Sequence, residues 1–311
     1  MWLLLVSIFT MVELNCENLF DCKHDSLKED TGFLPESPRH WTRGRYWHKL
    51  DQIARAVLDG GEDSVTVLPD LVALCEVEND SVVFDLTRRS LLRHAEYNYF
   101  ITESSDMRGI DVALLYNRFT FAPIAHAGIR VAPVKGMRPT RDILYVCGRV
   151  RGGDTLHVFV VHAPSRYGGE KATRPFRMAV AERLCLAIDS IRACTRDAKI
   201  AVMGDFNDDP GCVPIDTVCG HGMVDVAAKA AGRHGAKGTY RYKGRWSNID
   251  HCLLSPPLAA RMVDAWIKDV PFLIEEDKIY GGVKPFRTYY GFQYRYNGVS
   301  DHLPLVVRLR M

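Results

Sequence analysis

Hydrophobic stretches of strand length recur along the whole chain and predict a protein rich in buried strands. They lie at residues 70–77, 110–117, 143–150, 155–162, 199–204, 249–254 and 304–310. Most of them are almost continuously apolar, which is the pattern of strands that are covered on both faces. We therefore predict two sheets that pack face to face, with helices outside them.

Three segments have the periodicity of amphipathic helices. Residues 46–58 form an apolar stripe that Gly60-Gly61 should end, and residues 174–193 form another, with Pro175 near the first turn. A third helix is predicted directly after Asn79-Asp80. These helices are expected to cover the outer faces of the sheets.

Segment 286–296 alternates between aromatic and polar residues, which predicts a single strand with a period of two. We interpret Tyr290, Phe292 and Tyr294 as core residues of that strand. Segments 23–45 and 268–285 carry Pro, Gly and charge without a period, so they are predicted to be long surface loops that shape a cleft.

The apolar N-terminus has two interpretations. Residues 3–14 suit a first buried strand, whereas residues 1–11 are apolar enough for a signal peptide but lack a basic start and a typical cleavage site. The strand is favoured, and with it a cytoplasmic location; a secreted or periplasmic location follows if the segment is a signal. No other stretch approaches about 18 apolar residues, so no transmembrane segment is predicted.

Composition narrows the class of protein. The chain has 311 residues, 47% of them hydrophobic, and a formal net charge of +2. This charge is too small to indicate polyanion binding by the overall field. The nine cysteines include no CxxC pair, which argues against a zinc or disulfide framework and favours a reducing compartment. No linker separates two domains, so residues 1–311 are predicted to form one domain.

Polar side chains follow many of the predicted strands. These are Asn15 and Glu17, Glu76, His162, Asp205 and Asn207, Asp250, and Asp301 with His302. Several buried carboxylates in one place require a cation or a shared proton. Because strand ends often meet at one edge of a sheet, this set predicts a site for a hard divalent ion: Mg²⁺, or alternatively Mn²⁺ or Ca²⁺.

Each fragment alone also has a structural explanation. Asp-Phe-Asn-Asp-Asp-Pro suits a turn held by local hydrogen bonds, and a single histidine is more often structural than catalytic. The joint pattern is more informative than any of its parts. The motifs are LNCENLF (14–20), LCEVEN (74–79), RGIDVALLY (108–116), VFVVHAPSR (158–166), GDFNDDP (204–210), IDHCLLS (249–255) and SDHLP (300–304).

In this order the motifs resemble the endonuclease/exonuclease/phosphatase superfamily, the DNase I-like phosphohydrolases. The resemblance implies an α+β fold, a four-layered α/β-sandwich of two packed mixed sheets flanked by helices. It implies a metal held by Asn15 and Glu76 with Glu17 nearby, and Asp301 as a further carboxylate on the metal side. It assigns Asp205 to the attacking water, Asn207 to the water and the phosphate, His302 with Asp250 to the scissile phosphate, and His162 to the leaving group.

The chemistry of phosphate-ester cleavage explains these residue types. In-line attack by water needs a base and neutralisation of phosphoryl charge, with little covalent work for the protein. A divalent ion on Glu76 polarises the phosphoryl group, and crowding by other carboxylates raises the proton affinity of Asp205, which suits a base. An imidazolium at His302, held by Asp250, donates to the charged phosphate oxygen.

The substrate is less constrained than the reaction. Residues 39–49 interleave basic and aromatic side chains, and Arg43, Arg45 and Lys49 are predicted to contact substrate phosphate. Nucleic acid (DNA or RNA) or nucleotide phosphodiesters are the favoured substrates. Small phosphorylated metabolites or lipids, such as inositol phosphates or sphingomyelin, remain the alternative. No obligate protein partner is evident.

Two other classes of protein fit the sequence less well. A binding module with the same sandwich should have lost a metal or base residue, whereas Glu76, Asp205, Asn207 and His302 are all present. A metal-independent hydrolase has no basis either, because the chain lacks GxSxG, HExxH, Walker A and GxGxxG motifs. The sequence therefore favours a metal-dependent phosphohydrolase.

Overall fold

The structure, a computed structural model, describes residues 7–59 and 68–311. Residues 1–6, where the predicted N-terminal strand begins, and Gly60-Gly61 lie outside the described residues. The helices are α1 (Arg43–Leu58), α2 (Asp80–Arg88), α3 (Glu170–Cys194), α4 (Val213–Gly220) and α5 (Pro256–Ala259). Short 3₁₀ turns occupy Thr31–Phe33 and Leu91–His94.

The strands follow one another from residue 8 to residue 310. They are β1 (Ile8–Leu19), β2 (Leu71–Val77), β3 (Tyr97–Ile101), β4 (Asp111–Asn117), β5 (Phe121–Ile129), β6 (Ile143–Val150), β7 (Thr155–His162), β8 (Lys199–Asp205), β9 (Val224–Asp225), β10 (Tyr240–Tyr242), β11 (Arg245–Ser247), β12 (Asp250–Leu254), β13 (Met262–Ile267), β14 (Ile274–Glu276), β15 (Val283–Pro285), β16 (Tyr289–Tyr290), β17 (Gln293–Tyr294) and β18 (Leu305–Arg310).

Two mixed sheets form the centre of the molecule, as expected. One has the strand order β13-β18-β1-β2-β4-β3 and the other β5-β6-β7-β8-β12-β9. β1 and β2 run parallel, as do β7 and β8, while the other neighbours are antiparallel. Each parallel pair brings two carboxyl-terminal strand ends to the same edge, and these are the ends that carry the predicted site residues.

The apolar core lies in layers between and outside the sheets. Side chains of the two inner sheet faces pack on one another, and those of the first sheet also pack on α1 and α2, as Leu50 and Val83 do. A second cluster joins the outer face of the second sheet to α3 and α4 through Leu184 and Val218. This arrangement confirms the four-layered sandwich. None of the described helices is long and apolar enough to cross a bilayer.

The predicted strands and helices agree with the structure in most places, but three predictions differ. Segment 268–285, predicted to be a loop, contains β14 and β15. Helix α3 begins at Glu170, so Pro175 lies inside the helix and not near its first turn. Residues 286–296 are not one strand: β16 and β17 form a short hairpin that turns at Gly291, where φ is 58°. Phe292 is 61% exposed and Tyr290 is 37% exposed, so the prediction that these two residues belong to the core is wrong, while Tyr294 is half-buried. The strand prediction failed because a hairpin preserves the same alternation on both of its arms.

Candidate active site

The site lies where strand ends from both sheets meet. In the second sheet, Asp205 at the end of β8 is in register with His162 on β7 and with Asp250 on β12. From the first sheet, Asn15 on β1 donates from Nδ2 to Asp205 Oδ2 at 3.1 Å. The structure therefore joins residues separated by up to 235 positions in the chain around the Asp205 carboxylate.

Irregular backbone turns several of these side chains toward the cleft. The register of β1 and β2 shifts after Asn15, and that of β2 and β4 shifts between Cys75 and Val77, which places Glu76 in a bulge. Glu76 has φ 60° and Asn207 has φ 53°. Non-glycine residues with left-handed backbone are uncommon, and bulges of this kind often redirect side chains beside active sites.

Asp205 is the centre of the polar network. It is buried; Oδ1 accepts a hydrogen bond from the Asn207 amide at 2.8 Å, and Oδ2 lies 3.7 Å from His162 Nε2. The pKa of Asp205 is raised to about 7 by burial and by the neighbouring charge of Asp250. A carboxyl group with this pKa can accept a proton near neutral pH.

The second polar unit is the pair of His302 and Asp250. His302 Nδ1 lies 2.8 Å from Asp250 Oδ2, and His302 Nε2 lies 4.0 Å from Asp205 Oδ2. The Tyr240 ring covers the imidazole at a centroid distance of 5.0 Å. Asp250 Oδ1 is buried without a hydrogen-bond partner among the described residues. The pairing orients Nε2 of His302 toward Asp205.

The two histidines of the site favour opposite protonation states. Burial alone lowers the pKa of His302, but the charge and hydrogen bond of Asp250 outweigh burial and raise this pKa well above its usual range. Burial, together with the charges of Arg141 and Arg108, lowers the pKa of His162 well below its usual range. His302 is thus suited to act as a cation and His162 as a neutral imidazole, a division typical of acid–base sites.

Glu76 stands opposite His162. Its Oε2 accepts from the Asn18 amide at 2.8 Å, and its Oε1 lies 3.5 Å from the Arg108 guanidinium and 3.9 Å from His162 Nε2. Arg108 also donates to Asn18 Oδ1 at 2.6 Å. The carboxylate of Glu76 is therefore fixed in direction while remaining at the cleft surface.

Glu17 does not join this group. Its Oε2 accepts from the Thr288 amide at 2.6 Å and its Oε1 from Arg287 Nε at 3.2 Å, so the carboxyl group is turned toward the segment that precedes the β16–β17 hairpin. Arg287 also contacts Asp301 at 3.2 Å. Asp301 does line the cleft, beside His302. Burial and Asp301 raise the pKa of Glu17 to about 7.

The three cations predicted to contact phosphate lie elsewhere. Lys49 is buried and donates to Thr288 Oγ1 at 2.6 Å and to the Val299 carbonyl, which contradicts the predicted phosphate contact. Arg45 donates to the Arg39 and His40 carbonyls. Arg43 is exposed at the start of α1. None of the three lines the cleft. The sequence pattern over residues 43–49 does not show which of these side chains faces inward.

The loop after Asp205 is held by ionic contacts. Arg177, buried on α3, contacts Asp208 at 2.6 Å, and Arg166 donates to the Asn207 carbonyl at 2.6 Å. Asn207 itself donates from Nδ2 to the Ala163 carbonyl at 3.1 Å. These contacts fix the direction of the Asn207 side chain at the cleft wall.

Three further residues belong to the site: Glu13 and Tyr240 have no role in the prediction from sequence, and Arg141, close to a strand end, is only a weak candidate for phosphate contact there. Glu13 lies between the sheets and is two positions before Asn15, so strand alternation places both on the same face. Arg141 donates to the His162 and Ala163 carbonyls and pairs with Asp106, which fixes the end of β7. Tyr240 carries no signal in the sequence, because its hairpin is too short to be recognised.

The donor set fits a hard divalent cation. Amide and carboxylate oxygens of Asn15, Glu76, Asp205 and Asp301 line the same cleft, and the carboxylates of Asp205 and Asp250 lie within 4.8 Å of each other. Crowded carboxylates and the unbonded Oδ1 of Asp250 are an arrangement that a cation stabilises. The cleft has a volume of about 1050 Å³ and is rimmed by arginine and aromatic side chains.

Comparison with solved structures supports the fold. An endonuclease/exonuclease/phosphatase family protein from Bacteroides thetaiotaomicron aligns with TM-score 0.62 and 18% identity over 98% of both chains. A mannosyl-6-phosphatase from the same organism aligns with TM-score 0.59 and 19% identity over 97% of this chain and 100% of that chain. A humanized D. rerio TDP2 aligns with TM-score 0.59 and 14% identity, over 98% of this chain and 99% of that one.

Sequence comparison is decisive for membership. A search of curated proteins gives no significant match. The sequence profile of the Endonuclease/Exonuclease/phosphatase family, however, matches residues 10–311, which is nearly the whole chain. The chain therefore belongs to the endonuclease/exonuclease/phosphatase family of phosphate-ester hydrolases.

Proposed function

We propose that the protein is a divalent-metal-dependent phosphodiesterase that cleaves nucleic acid or nucleotides by in-line attack of an activated water. The observation that carries the proposal is the position of the Asp205 carboxylate. It lies 3.7 Å from a neutral His162 and 4.0 Å from His302, which favours the cationic form. The base, Asp205, and the cationic donor, His302, are therefore close enough to act on the same phosphorus atom.

Four residues of the site have separate roles in the proposed reaction. Asp205 takes the proton of the attacking water, and Asn207, held by Ala163 and Arg166, orients that water and a phosphoryl oxygen. His302 donates from Nε2 to a phosphoryl oxygen, because Asp250 already occupies Nδ1. His162 lies next to Asp205 on the neighbouring strand and faces the same cleft, where a neutral imidazole can contact the leaving group.

Glu76, Asn15 and Asp301 are the residues proposed to hold the metal. Asn15 retains capacity at Oδ1 beyond its bond with the Glu17 amide, and the Glu76 carboxylate faces the cleft. Mg²⁺ is the expected ion, with Mn²⁺ as a substitute, and when bound it supplies positive charge to the phosphoryl oxygens. Glu17 is not part of this donor set, because both of its oxygens accept hydrogen bonds from Arg287 and Thr288.

The rim of the cleft supports a diester with an extended leaving group. Arg108, Arg138 and Arg245 line it together with Tyr242 and Trp246. Guanidinium groups and rings suit phosphates and bases. A phosphatase of small phosphorylated metabolites is the second candidate, because one structural neighbour is a mannosyl-6-phosphatase and the cleft also has room for a sugar phosphate.

An activity comparison tests the proposal. Purified protein is assayed with bis(p-nitrophenyl) phosphate, p-nitrophenyl phosphate, and single- and double-stranded oligonucleotides, with Mg²⁺ or Mn²⁺ and with EDTA. We expect diester hydrolysis that stops in EDTA, and a loss of about 10²–10⁴-fold in turnover for Asp205→Asn, the usual contribution of a general base. Circular dichroism should show the variant folded.

The outcomes discriminate between the candidates. Full cleavage in EDTA contradicts the metal requirement, and wild-type turnover by Asp205→Asn contradicts the assigned base. A clear preference for the monoester favours the phosphatase. Arg196→Ala is the matched control, because Arg196 is exposed before β8, at the end of that strand opposite Asp205, and should leave turnover unchanged.

A further inference from the structure

A second, smaller pocket opens beside the cleft. It has a volume of about 200 Å³. One wall is the loop that contains Phe33, Arg39 and Trp41, and the other is the segment from Arg287 to Gly291. Asn18 lines both this pocket and the cleft. The two cavities are therefore neighbours, and one extended ligand can enter both.

The main feature of this pocket is the guanidinium of Arg39. It stacks on the Phe33 ring at 4.9 Å and on the Phe292 ring at 5.5 Å, so two exposed or half-buried rings fix its position. Within the described part of the chain, its only hydrogen bond is a long one of 3.5 Å to the Gly32 carbonyl, and no carboxylate lies within ion-pair distance of it. Most of its N–H donors are therefore available.

Three other buried or half-buried arginines of the molecule have a carboxylate partner, which Arg39 does not have among the described residues. Arg141 pairs with Asp106, Arg177 with Asp208 and Arg295 with Glu275. In the pocket itself, Glu17 and Arg287 form an ion pair, with 3.2 Å between Glu17 Oε1 and Arg287 Nε. The positive charge of Arg39 is thus the one that the pocket leaves unmatched.

The wall shared with the cleft adds a neutral donor. Asn18 Oδ1 accepts from Arg108 at 2.6 Å, which turns the NH₂ group of the Asn18 side chain away from that contact. The floor of the pocket consists of the buried Trp41 and Tyr289 side chains. A cation fixed between rings, an amide donor and a rigid floor are the components of a site for an anionic group.

We propose that this pocket binds a second phosphate group of the substrate while the scissile phosphate occupies the cleft. The proposal rests on the proposed phosphodiesterase function and narrows its substrate to molecules with two phosphates in succession, such as a short nucleic acid strand. Arg39 is the specificity residue for that second phosphate. It has no part in the bond cleavage at Asp205.

Dinucleotides with and without a terminal phosphate test the subsite. The probes are a thymidine dinucleotide with its single internal diester, the same dinucleotide with a 5′- or a 3′-phosphate, and bis(p-nitrophenyl) phosphate, which has one phosphate. We expect one of the phosphorylated dinucleotides to have a kcat/KM about tenfold or more above the unphosphorylated one, as typical for charge-assisted hydrogen bonds. Arg39→Ala should abolish that advantage and leave bis(p-nitrophenyl) phosphate within about twofold.

Two further variants separate charge from packing. Arg39→Lys keeps the cation and should retain part of the advantage. Arg196→Ala removes an exposed cation at the opposite end of β8 and should retain all of it. Equal kcat/KM for all three dinucleotides, or an equal loss for every substrate in Arg39→Ala, overturns the subsite.

A binding measurement keeps this test independent of the proposed function. Titration calorimetry in EDTA, where no turnover is expected, compares the phosphorylated dinucleotides on wild-type protein and on Arg39→Ala. Weaker binding to the variant by about tenfold supports the subsite even if no diester is cleaved, whereas equal binding refutes it. The absence of metal-dependent cleavage for every substrate counts against the phosphodiesterase alone.

Discussion

Glu13 buries a carboxyl group between the two sheets, and neither oxygen has a conventional hydrogen bond to the residues that the structure describes. Burial, and then the charges of Asp250 and Asp205, raise its pKa well above the usual range, so it is expected to remain protonated. The thiol of Cys75, its polar neighbour, is a weak donor that also contacts the Val161 carbonyl. The buried carboxyl group of Glu13 is therefore expected to lower the free energy of unfolding.

Substitution of Glu13 by valine tests this cost. Valine has a similar volume and favours strands, and it removes a buried polar group that lacks partners. We expect Glu13→Val to raise the free energy of unfolding in EDTA by about 1–3 kcal/mol, measured by urea titration. Glu13→Gln, which keeps a buried polar group, should gain less. A less stable Glu13→Val protein would mean that the acid has a favourable partner.

Residue types in the site were easier to predict than their directions. Asp205 and His302 lie in motifs whose strand ends converge, so their proximity follows from the pattern of strands. Glu17 was placed with the metal ligands, yet its left-handed backbone, with φ 49°, and its contact with Arg287 turn it away. Such contacts join residues 270 positions apart and leave no periodic signal.

At the scale of elements, Gly204 controls how closely β7 and β8 approach at the site. It has φ 145°, and a Cβ atom there would lie 1.8 Å from the Val161 carbonyl oxygen. Gly204 precedes Asp205 and Val161 precedes His162, and the two pairs are in register. A side chain at this position must separate the two strand ends that carry the base and the neutral imidazole.

Gly204→Ala is therefore expected to damage both stability and catalysis. Overpacking against fixed backbone costs about 1–3 kcal/mol or more, and displacement of Asp205 should lower turnover beyond the loss of stability. Thermal unfolding and diester hydrolysis measure the two effects. Gly220→Ala is the matched control, since no atom of the described part of the chain, apart from the adjacent backbone, lies within 4 Å of a Cβ atom at this helical glycine. Similar behaviour of the two variants would contradict the close approach.

Four of the strands that sequence analysis did not predict are the edges of the two large sheets, while β10, β11, β14 and β15 form separate two-stranded sheets. β3 and β13 are the edges of the first sheet, and β5 and β9 are the edges of the second. Edge strands are partly solvated, so they lack the continuous apolar runs of the central strands. β5 is largely exposed and contains Pro123, which is tolerated at an edge. Hydrophobic pattern therefore predicted the centre of each sheet but not its borders.

At the scale of the whole molecule, the sandwich buries carboxyl groups whose ionisation opposes folding. Burial is the largest cause for each: it raises the pKa of Glu78 to about 8 and, with neighbouring carboxylates, those of Glu17 and Asp205 to about 7. In the unfolded chain these groups ionise near pH 4 to 5. Between those values and pH 8 the folded state holds more protons than the unfolded state, so stability falls as pH rises.

The stability of the metal-free protein is therefore expected to decrease from pH 5 to pH 8. His302, with its raised pKa, acts in the same direction, while His162, with its lowered pKa, opposes it below about pH 6.5. Mg²⁺ should flatten the slope, because binding to the ionised carboxylates of the cleft stabilises the folded state most at high pH. Urea titrations at several pH values, in EDTA and in Mg²⁺, measure both effects.

Glu78→Gln distinguishes the contributions of the cleft from those of the rest of the fold. Glu78 accepts from the Asp21 amide at 2.6 Å and does not line the cleft. Its replacement should remove at least about 1 kcal/mol of the loss between pH 5 and pH 8, the free energy of roughly one pKa unit, and leave the response to Mg²⁺ intact. Stability that rises steadily over this range in EDTA would show that the buried carboxyl groups ionise freely in the folded protein. The expected effect of Mg²⁺ on the pH dependence of stability would then have no electrostatic cause.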